Sequence, residues 1–325
     1  MKFPRRQFLQ LAASAVALPV VLRVARAQTY PSRPVRLIIG YPAGGANDII
    51  GRLIGQWLSE RLGQQFIIEN RAGAAGNIAT EAVVRSPADG YTLLVVGSFN
   101  AINATLYDKL SFNFIRDVEP VAGIIRSTFV MLLNPSFPAK TVPEFIGYAK
   151  ANPGKINMAS AGSGNLTHVA GELFKAMTGV NMLHVPYRGG APAMTDLIGG
   201  QVHVYFGTIS ESIEYIRASK LRALAVTTAT RSEVLPNIPT VGEFVPGYEA
   251  SGWQGVGAPK NTPTDIIDKL NKEINAGIAD PKLKARFADL GNTPLPGSPA
   301  DFGKFIADET DKWAKVIKFA NIKAE

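Results

Sequence analysis

The sequence predicts an α/β protein with parallel sheets, arranged as two domains. Short runs rich in Val, Ile and Leu alternate with helical patterns along the chain, and this alternation is typical of strand–helix–strand units. Several of these runs end in glycine-rich turns that open the next helical pattern. The chain has 325 residues, which is long enough for two domains with complete hydrophobic cores.

Apolar runs and periodicity place the individual elements. The helix over 49–62 has apolar residues at 49, 50, 53, 54, 57 and 58, and Gly63 follows it as a C-cap residue would. A stretch rich in Pro and Gly, Pro236–Pro263, precedes the last two helices. The predicted strands are 35–39, 66–69, 92–96, 129–133, 156–159, 182–185, 202–207 and 222–226. The predicted helices are 49–62, 77–85, 142–151, 166–178, 191–199, 263–278 and 299–319.

Residues 1–27 have the pattern of a cleaved export signal. A basic start is followed by the apolar run Leu11–Leu22, and the small residues of Ala25-Arg26-Ala27 precede the predicted cleavage before Gln28. The adjacent arginines of Arg5-Arg6-Gln7-Phe8-Leu9 resemble a twin-arginine signal; an ordinary signal with a basic start is the alternative. We therefore expect an exported, periplasmic protein.

Composition excludes several classes of protein. The chain has no cysteine, so a lipid anchor on cysteine, disulfides and thiolate chemistry are excluded. The net charge of +8 falls to about +3 without the five basic residues of the signal. The sequence has no basic run with interleaved aromatic residues, so nucleic acid is not expected as a partner. Three scattered histidines predict no metal site. The sequence has no phosphate-binding motif that would predict a bound nucleotide, so no cofactor is expected.

Glycine-rich turns after the strands are the candidate binding elements. The first, Gly40–Asp48, opens a helix, where free backbone N–H groups and the helix dipole attract an anion. A second, Ser160–His168, repeats this arrangement, and Tyr187–Pro192 and Gly207–Ser212 are further turns of the same kind. Ligands of parallel sheets bind beyond the carboxyl ends of the strands. Two such helix starts suggest one anionic ligand held between two lobes.

Three side chains in these turns have competing interpretations. Asp48 lies in the first turn of its helix, where a carboxylate stabilises the dipole, so we expect it to support the turn from behind the ligand. Ser163 and His168 could be a nucleophile and its base, but no Gly-x-Ser-x-Gly elbow surrounds the serine. We therefore interpret both as hydrogen-bonding groups and predict no catalytic residue.

The order and spacing of several segments resemble the Bug family of tripartite tricarboxylate transporter substrate-binding proteins. The matching segments cover nearly all of the chain after the signal: Tyr30–Val35, Tyr41–Asp48, Glu69–Gly76, Pro87–Leu94, Ala159–Ser163, Val185–Gly190 and Leu235–Thr240. The resemblance implies a periplasmic binding protein-like fold (type II), in which two α/β lobes joined by a hinge of two crossing strands enclose a ligand cleft. Residues 28–126 plus 249–325 would form lobe 1, and residues 127–248 would form lobe 2. The C-terminal helices would pack on lobe 1.

The resemblance also implies a function and a site. The protein would capture a small organic carboxylate (a di- or tricarboxylate, an aromatic carboxylate or an acidic amino acid) as a monomer, without chemical conversion, and deliver it to integral-membrane transporter subunits. Arg188 would either grip a carboxylate or face solvent. The implied ligand-binding residues are Tyr41, Ala43, Gly44, Gly45, Ser98, Asn103, Ser163, Thr167, His168, Tyr187, Gly189, Gly190 and Thr208. The alternatives are a secreted serine hydrolase using Ser163 or Ser98, and a ligand-binding sensor subunit.

Overall fold

The computed structural model describes residues 30–324. The predicted signal peptide, residues 1–27, therefore lies outside the described residues. The strands are β1 (Val35–Ile39), β2 (Phe66–Asn70), β3 (Thr92–Gly97), β4 (Val118–Ser127), β5 (Phe129–Leu133), β6 (Ile156–Ser160), β7 (Met182–Pro186), β8 (Val204–Thr208), β9 (Arg222–Val226), β10 (Gly252–Pro259) and β11 (Asn292–Pro294).

Helices connect most of these strands. They are α1 (Ala46–Leu62), α2 (Asn77–Val84), α3 (Ser98–Leu106), α4 (Phe114–Asp117), α5 (Val142–Ala151), α6 (Leu166–Thr178), α7 (Gly190–Ile198), α8 (Ile209–Arg217), α9 (Thr264–Ala279), α10 (Pro281–Asp289) and α11 (Pro299–Ala320). Gly63 ends α1 in the left-handed region at φ 71°, as the sequence predicts. Within residues 30–324, no helix has the length and apolar character that crossing a membrane requires.

The first sheet has the strand order β11-β4-β10-β3-β1-β2. Its strands β2, β1 and β3 are mutually parallel, as predicted from the alternating pattern. The other half differs, because β10 runs antiparallel between β3 and β4, and β11 pairs antiparallel with β4. The sheet is therefore mixed, and the expectation of purely parallel sheets is wrong for this half.

The second sheet has the order β7-β6-β8-β5-β9. Here β7, β6 and β8 are parallel, while β5 runs antiparallel between β8 and β9. Together with the helices, each sheet forms an α/β lobe. The chain passes between the two sheets at Thr128, from β4 to β5, and returns between β9 and β10.

Close backbone approach explains why β10 lies inside a stretch rich in Pro and Gly. A Cβ at Gly255 would lie only 2.5 Å from the carbonyl oxygen of Ala122 in β4, so this position requires glycine. Every residue of β10 is buried. The glycines lower the strand propensity of this segment, but they also allow β10 to pass through the centre of the sheet.

The two lobes share buried apolar contacts. One hydrophobic cluster joins residues of β3, such as Leu94, to residues of β8, such as Phe206, and to Trp313 of α11. Helix α11 packs on α3 and β4, as expected from the predicted packing on lobe 1, but it also contacts α6 of the second lobe. The C-terminal helix therefore bridges both lobes.

Candidate functional site

A cavity of about 280 Å³ lies where the two lobes face each other. Five residues predicted from the sequence line it: Tyr41, Ser98, Asn103, Ser163 and Thr208. Further lining residues were not predicted: Ala46, Asn47, Ala75, Phe99, Ile102, Leu106, Tyr107, Ser127, Phe129, Gly164, Asn165, Leu166, Gly252, Trp253 and Gln254. Both lobes and both crossing segments therefore contribute to its wall.

The N-termini of four of the described helices border this cavity. In the first lobe, α1 begins at Ala46 and α3 at Ser98, after the neighbouring strands β1 and β3. In the second lobe, α6 and α8 begin after Asn165 and Thr208, following the neighbouring strands β6 and β8. Helix N-termini carry partial positive charge and unpaired N–H groups. The cavity is therefore surrounded by groups that favour an anion.

The turn before α1 is supported by the buried carboxylate of Asp48. Its Oδ2 accepts a hydrogen bond from the Gly44 N–H (2.8 Å) and pairs with Arg52 Nε (2.8 Å), and its Oδ1 accepts a hydrogen bond from Asn70 Nδ2 (2.9 Å). Burial acts to raise the pKa of this carboxyl, but the hydrogen bonds outweigh burial and lower the pKa to about 2. Asp48 therefore stays charged and holds the turn from behind, as the sequence suggests.

Ala43, Gly44 and Gly45 are exposed in this turn, and they are absent from the cavity wall of the described residues. Gly45 is the N-cap of α1 and makes no side-chain cap. Its lack of a side chain leaves space around the first amides of the helix, which lead to Ala46 and Asn47 in the cavity wall.

The turn before α6 is organised by its own side chains. Asn165 Oδ1 accepts hydrogen bonds from the His168 N–H (3.2 Å) and from the Thr167 hydroxyl (2.6 Å). Thr167 Oγ1 in turn accepts a hydrogen bond from the Ala161 N–H (2.7 Å), and His168 Nδ1 accepts one from the Gly164 N–H (3.0 Å). Thr167 and His168 thus shape the turn that presents Ser163 and Asn165 to the cavity; neither lines it in the described structure.

A pair of stacked imidazoles lies behind this turn. The rings of His168 and His184 are parallel within 6°, with centroids 3.5 Å apart. Ser160 Oγ lies 2.6 Å from His184 Nε2, and His168 Nε2 lies 3.6 Å from Glu172 Oε1. Ser160 is fully buried, so no substrate could reach this serine–histidine pair.

The turn at Tyr187–Gly190 lies away from the cavity wall. The Tyr187 hydroxyl donates a hydrogen bond to Asp196 Oδ2 at 2.6 Å, and burial together with this bond raises the pKa of Tyr187 to about 12. Gly189 has φ 113°, and Arg188 is exposed to solvent. Gly190 packs beside the carboxylate of Glu211. These residues support the start of α7.

Aromatic side chains form much of the cavity wall. The rings of Tyr41 and Phe99 make an edge contact with centroids 4.9 Å apart. Burial, with a smaller contribution from Tyr107, raises the pKa of Tyr41 to about 12, so its hydroxyl is neutral. Trp253 Nε1 donates to Glu309 Oε2 at 3.2 Å, which fixes the indole in the wall.

Asparagines hold a strained turn at the edge of the cavity. Ala74 and Ala75 have φ values of 45° and 52°, in the left-handed region that alanine rarely adopts. Asn103 Nδ2 donates to the Ala75 carbonyl (2.9 Å) and to Asn77 Oδ1 (3.1 Å). Asn103 therefore both lines the cavity and fixes Ala75 in its wall.

A second cavity of about 410 Å³ adjoins the first. Four residues belong to the walls of both cavities: Ala46, Ser127, Thr208 and Gln254. Gln254 is 7% exposed, and its Oε1 has no hydrogen-bond partner among the described residues. Gln254 therefore borders both cavities.

Comparisons with known proteins agree with this architecture. Residues 50–322 match the model of the tripartite tricarboxylate transporter family receptor. Protein BugT of Bordetella pertussis is 36% identical over 316 residues, covering 96% of this chain and 95% of BugT. A UPF0065 protein in the tcbD-tcbE intergenic region of Pseudomonas sp. (strain P51) is 36% identical over 311 residues, covering 94% and 92% of the two chains.

Solved structures show the same two-lobed fold. The R. palustris protein Rpa4515, solved with adipate, is 37% identical and has a TM-score of 0.78 over 90% of this chain and 99% of its own. MatC from Rhodopseudomonas palustris, solved with bound malate, is 29% identical with a TM-score of 0.74 over 89% of this chain and 100% of its own. The periplasmic binding protein BugD is 33% identical, with a TM-score of 0.74 over 91% of this chain and 100% of its own.

Proposed function

We propose that this chain, which belongs to the tripartite tricarboxylate transporter receptor family, captures a small organic carboxylate between its lobes and delivers it to integral-membrane transporter subunits. The proteins of this family are substrate-binding receptors and not enzymes. The observation that carries the proposal is the meeting of four helix N-termini, two from each lobe, at one cavity.

Binding in this cavity depends on dipoles and hydrogen bonds rather than on ion pairs. A helix N-terminus stabilises a nearby anion by about 0.3–1 kcal/mol when exposed and by up to about 2 kcal/mol when partly buried. Four such ends, two from each lobe, stabilise a carboxylate only when both lobes contact it. Capture of the ligand therefore favours closure of the lobes, and closure excludes water and strengthens each contact.

We assign residues 28–126 plus 249–325 to lobe 1 and residues 127–248 to lobe 2. Support comes from the passage of the chain at Thr128 and from its return near Ala250, where the Ala250 N–H donates to the Thr227 carbonyl at 2.9 Å. These two adjacent segments are the hinge. The receptor works in the periplasm as a monomer, after export directed by residues 1–27 and cleavage of that segment.

Calorimetry on residues 28–325, stripped of bound ligand by unfolding and refolding, tests the proposal. The panel comprises citrate, malate, adipate, glutamate and benzoate, with a neutral amide of the best ligand as a control. We expect saturable binding of at least one carboxylate, and no comparable binding of the amide. The receptor function is refuted if none of these anions binds and if no anion that native mass spectrometry finds retained on the protein binds either.

A charge substitution tests where the carboxylate binds. Asn47→Asp places a negative charge in the cavity wall without changing the size of the side chain, and an acidic residue in the first turn of α1 favours the helix. Two like charges about 5 Å apart repel by about 3 kcal/mol at an effective dielectric constant near 20, so we expect at least tenfold weaker binding. Asn237→Asp on the exposed surface is the matched control, and equal affinities of the two variants would place the anion elsewhere.

A further inference from the structure

We infer that His168 is a positioning residue for the ligand, which holds the start of α6 only while its imidazole is neutral, so that protonation of His168 weakens ligand binding. This inference rests on the proposed function, since it names a regulation of the same site. Three features carry it: the hydrogen bond that the ring accepts, the charged groups around the ring, and the position of Gly164 at the cavity.

The first feature is the hydrogen bond between the Gly164 N–H and His168 Nδ1, at 3.0 Å. A backbone N–H can only donate, so Nδ1 is the acceptor and the proton of the neutral ring lies on Nε2. A second proton can bind only at Nδ1, where it would face the Gly164 N–H as another donor. Protonation of His168 therefore breaks this hydrogen bond.

The second feature is the set of charged groups around the ring. His168 and Glu172 are both buried, and His168 Nε2 lies 3.6 Å from Glu172 Oε1. Burial acts to raise the pKa of the Glu172 carboxyl, but hydrogen bonds from His168 and Lys175 outweigh burial and hold the pKa below its ordinary value. Glu172 therefore stays ionised, and it pairs with an imidazolium at His168 once the bond to Gly164 has broken.

The other elements packed around His168 bring no further charge into contact with it. The His184 ring of β7 stacks on His168 with centroids 3.5 Å apart, and repulsion between like charges at this distance favours only one added proton on the two rings. Tyr205 of β8 and Tyr248 stay neutral, because burial raises the pKa of each phenol. Strand β6 and helix α3 contain no titratable residue, and within residues 30–324 no ion pair joins α11 to His168 or Glu172.

The third feature is the position of Gly164. It lines the cavity beside Ser163 and Asn165, and it lies against Leu106 of the other lobe. Asn165 is also the N-cap of α6, whose first amides favour a carboxylate. Loss of the hydrogen bond to His168 therefore loosens the part of the turn that faces the ligand. The positive charge that the proton adds does not replace these contacts, because Glu172 pairs with it.

The pH dependence of binding tests the inference, because histidine titrates between about pH 5 and pH 8 and the chain has only three histidines. The tightest carboxylate of the calorimetric panel is titrated into wild-type protein at about pH 8 and about pH 5.5, and each dissociation constant is corrected for the ionised fraction of the ligand. We expect at least fivefold weaker binding at the lower pH, with a release of protons that makes the measured heat depend on the ionisation enthalpy of the buffer. Equal or tighter binding at the lower pH would overturn the inference and leave the receptor function intact; failure of every carboxylate at both pH values would refute the receptor function itself.

Two variants of His168 separate the hydrogen bond from the proton. In His168→Asn the amide oxygen can accept the Gly164 N–H but does not titrate, so this variant should bind within about threefold of wild type at the higher pH and keep that affinity at the lower pH. In His168→Phe the ring remains but the acceptor is lost, so binding should be at least fivefold weaker than that of wild type at the higher pH and should not change with pH.

His203→Asn is the matched control. His203 Nδ1 accepts a hydrogen bond from the Asn157 N–H at 2.8 Å, but His203 lies outside both cavities, so this variant should keep the wild-type pH dependence. Circular dichroism at both pH values checks that each variant is folded. A pH dependence that survives in His168→Asn or disappears in His203→Asn, or wild-type affinity in His168→Phe, would overturn the role of His168.

Discussion

Substitution of Gly164 by alanine should weaken ligand binding in addition to lowering the stability of the fold. Gly164 lies in the turn before α6 with φ 75°, and Leu106 lies at the end of α3 in the other lobe. A Cβ at Gly164 would lie closer to Leu106 Cδ2 than van der Waals contact allows, and 3.4 Å from Cδ1. The two residues meet across the cavity wall, so the steric conflict opposes closure of the lobes.

The expected magnitude has two parts. A left-handed conformation costs a residue with a Cβ about 1–2 kcal/mol, and overpacking of a well-packed contact costs about 1–3 kcal/mol. Only the second part depends on the approach of the two lobes. We therefore expect about 1–3 kcal/mol weaker binding, which is roughly 5- to 150-fold in the dissociation constant, together with about 1–2 kcal/mol less stability from the backbone.

Calorimetric titration with the tightest carboxylate measures the first effect, and urea unfolding measures the second. Gly179→Ala is the matched control, since Gly179 has φ 73° at the end of α6 and no atom lies within 4 Å of the position that its Cβ would take. In this control variant, only the left-handed backbone conformation lowers the stability, and no steric conflict is added. Adding Leu106→Ala to Gly164→Ala should restore part of the lost affinity. Equal affinities of the two glycine variants, or no recovery in the double variant, would refute the steric explanation.

Three further predictions concern stability. Because the folded pKa of Asp48 is about 2 against an ordinary value of 3.8, its contribution is complete above about pH 4 and is lost as the pH falls toward 2; urea unfolding of wild type should show a decline of about 2 kcal/mol that Asp48→Asn lacks. A Cβ at Gly171 would overlap the buried Met158 Sδ, so Gly171→Ala should lower the free energy of unfolding by about 1–3 kcal/mol. Gly147 has open space around it in α5, so Gly147→Ala should raise that free energy by about 0.5–1 kcal/mol; thermal melts of both variants check the opposite signs.

Sequence patterns predict the elements that repeat a simple period. The predicted strand 35–39 coincides with β1, and the helix predicted over 166–178 coincides with α6. By contrast, β10 was missed, because its glycines and terminal proline have low strand propensity and its environment comes from distant strands. Helices α3 and α8 were also missed, because each begins directly at the end of a strand without a turn between them.

Part of the candidate site can likewise be predicted from the sequence, and part of it cannot. The turns that follow β1 and β6 could be identified, since glycine and polar residues mark a helix start locally. The residues contributed by crossing segments could not, because Phe129, Trp253 and Gln254 reach the cavity only through long-range strand pairing. The family resemblance implies that Thr167 and His168 contact the ligand. The structure directs their hydrogen bonds to the turn itself.

The position of β10 in the first sheet also sets an order for the folding of the chain. The second sheet uses only residues from Phe129 to Val226, so every pairing within it can form from one continuous segment. In the first sheet, β3 pairs with β10, and Gly97 lies opposite Gln254. Loop closure over such a separation is slow. During synthesis, lobe 2 can therefore be complete while β3 still exposes an unpaired edge, which makes lobe 1 the part that needs protection from aggregation until residue 259 has emerged.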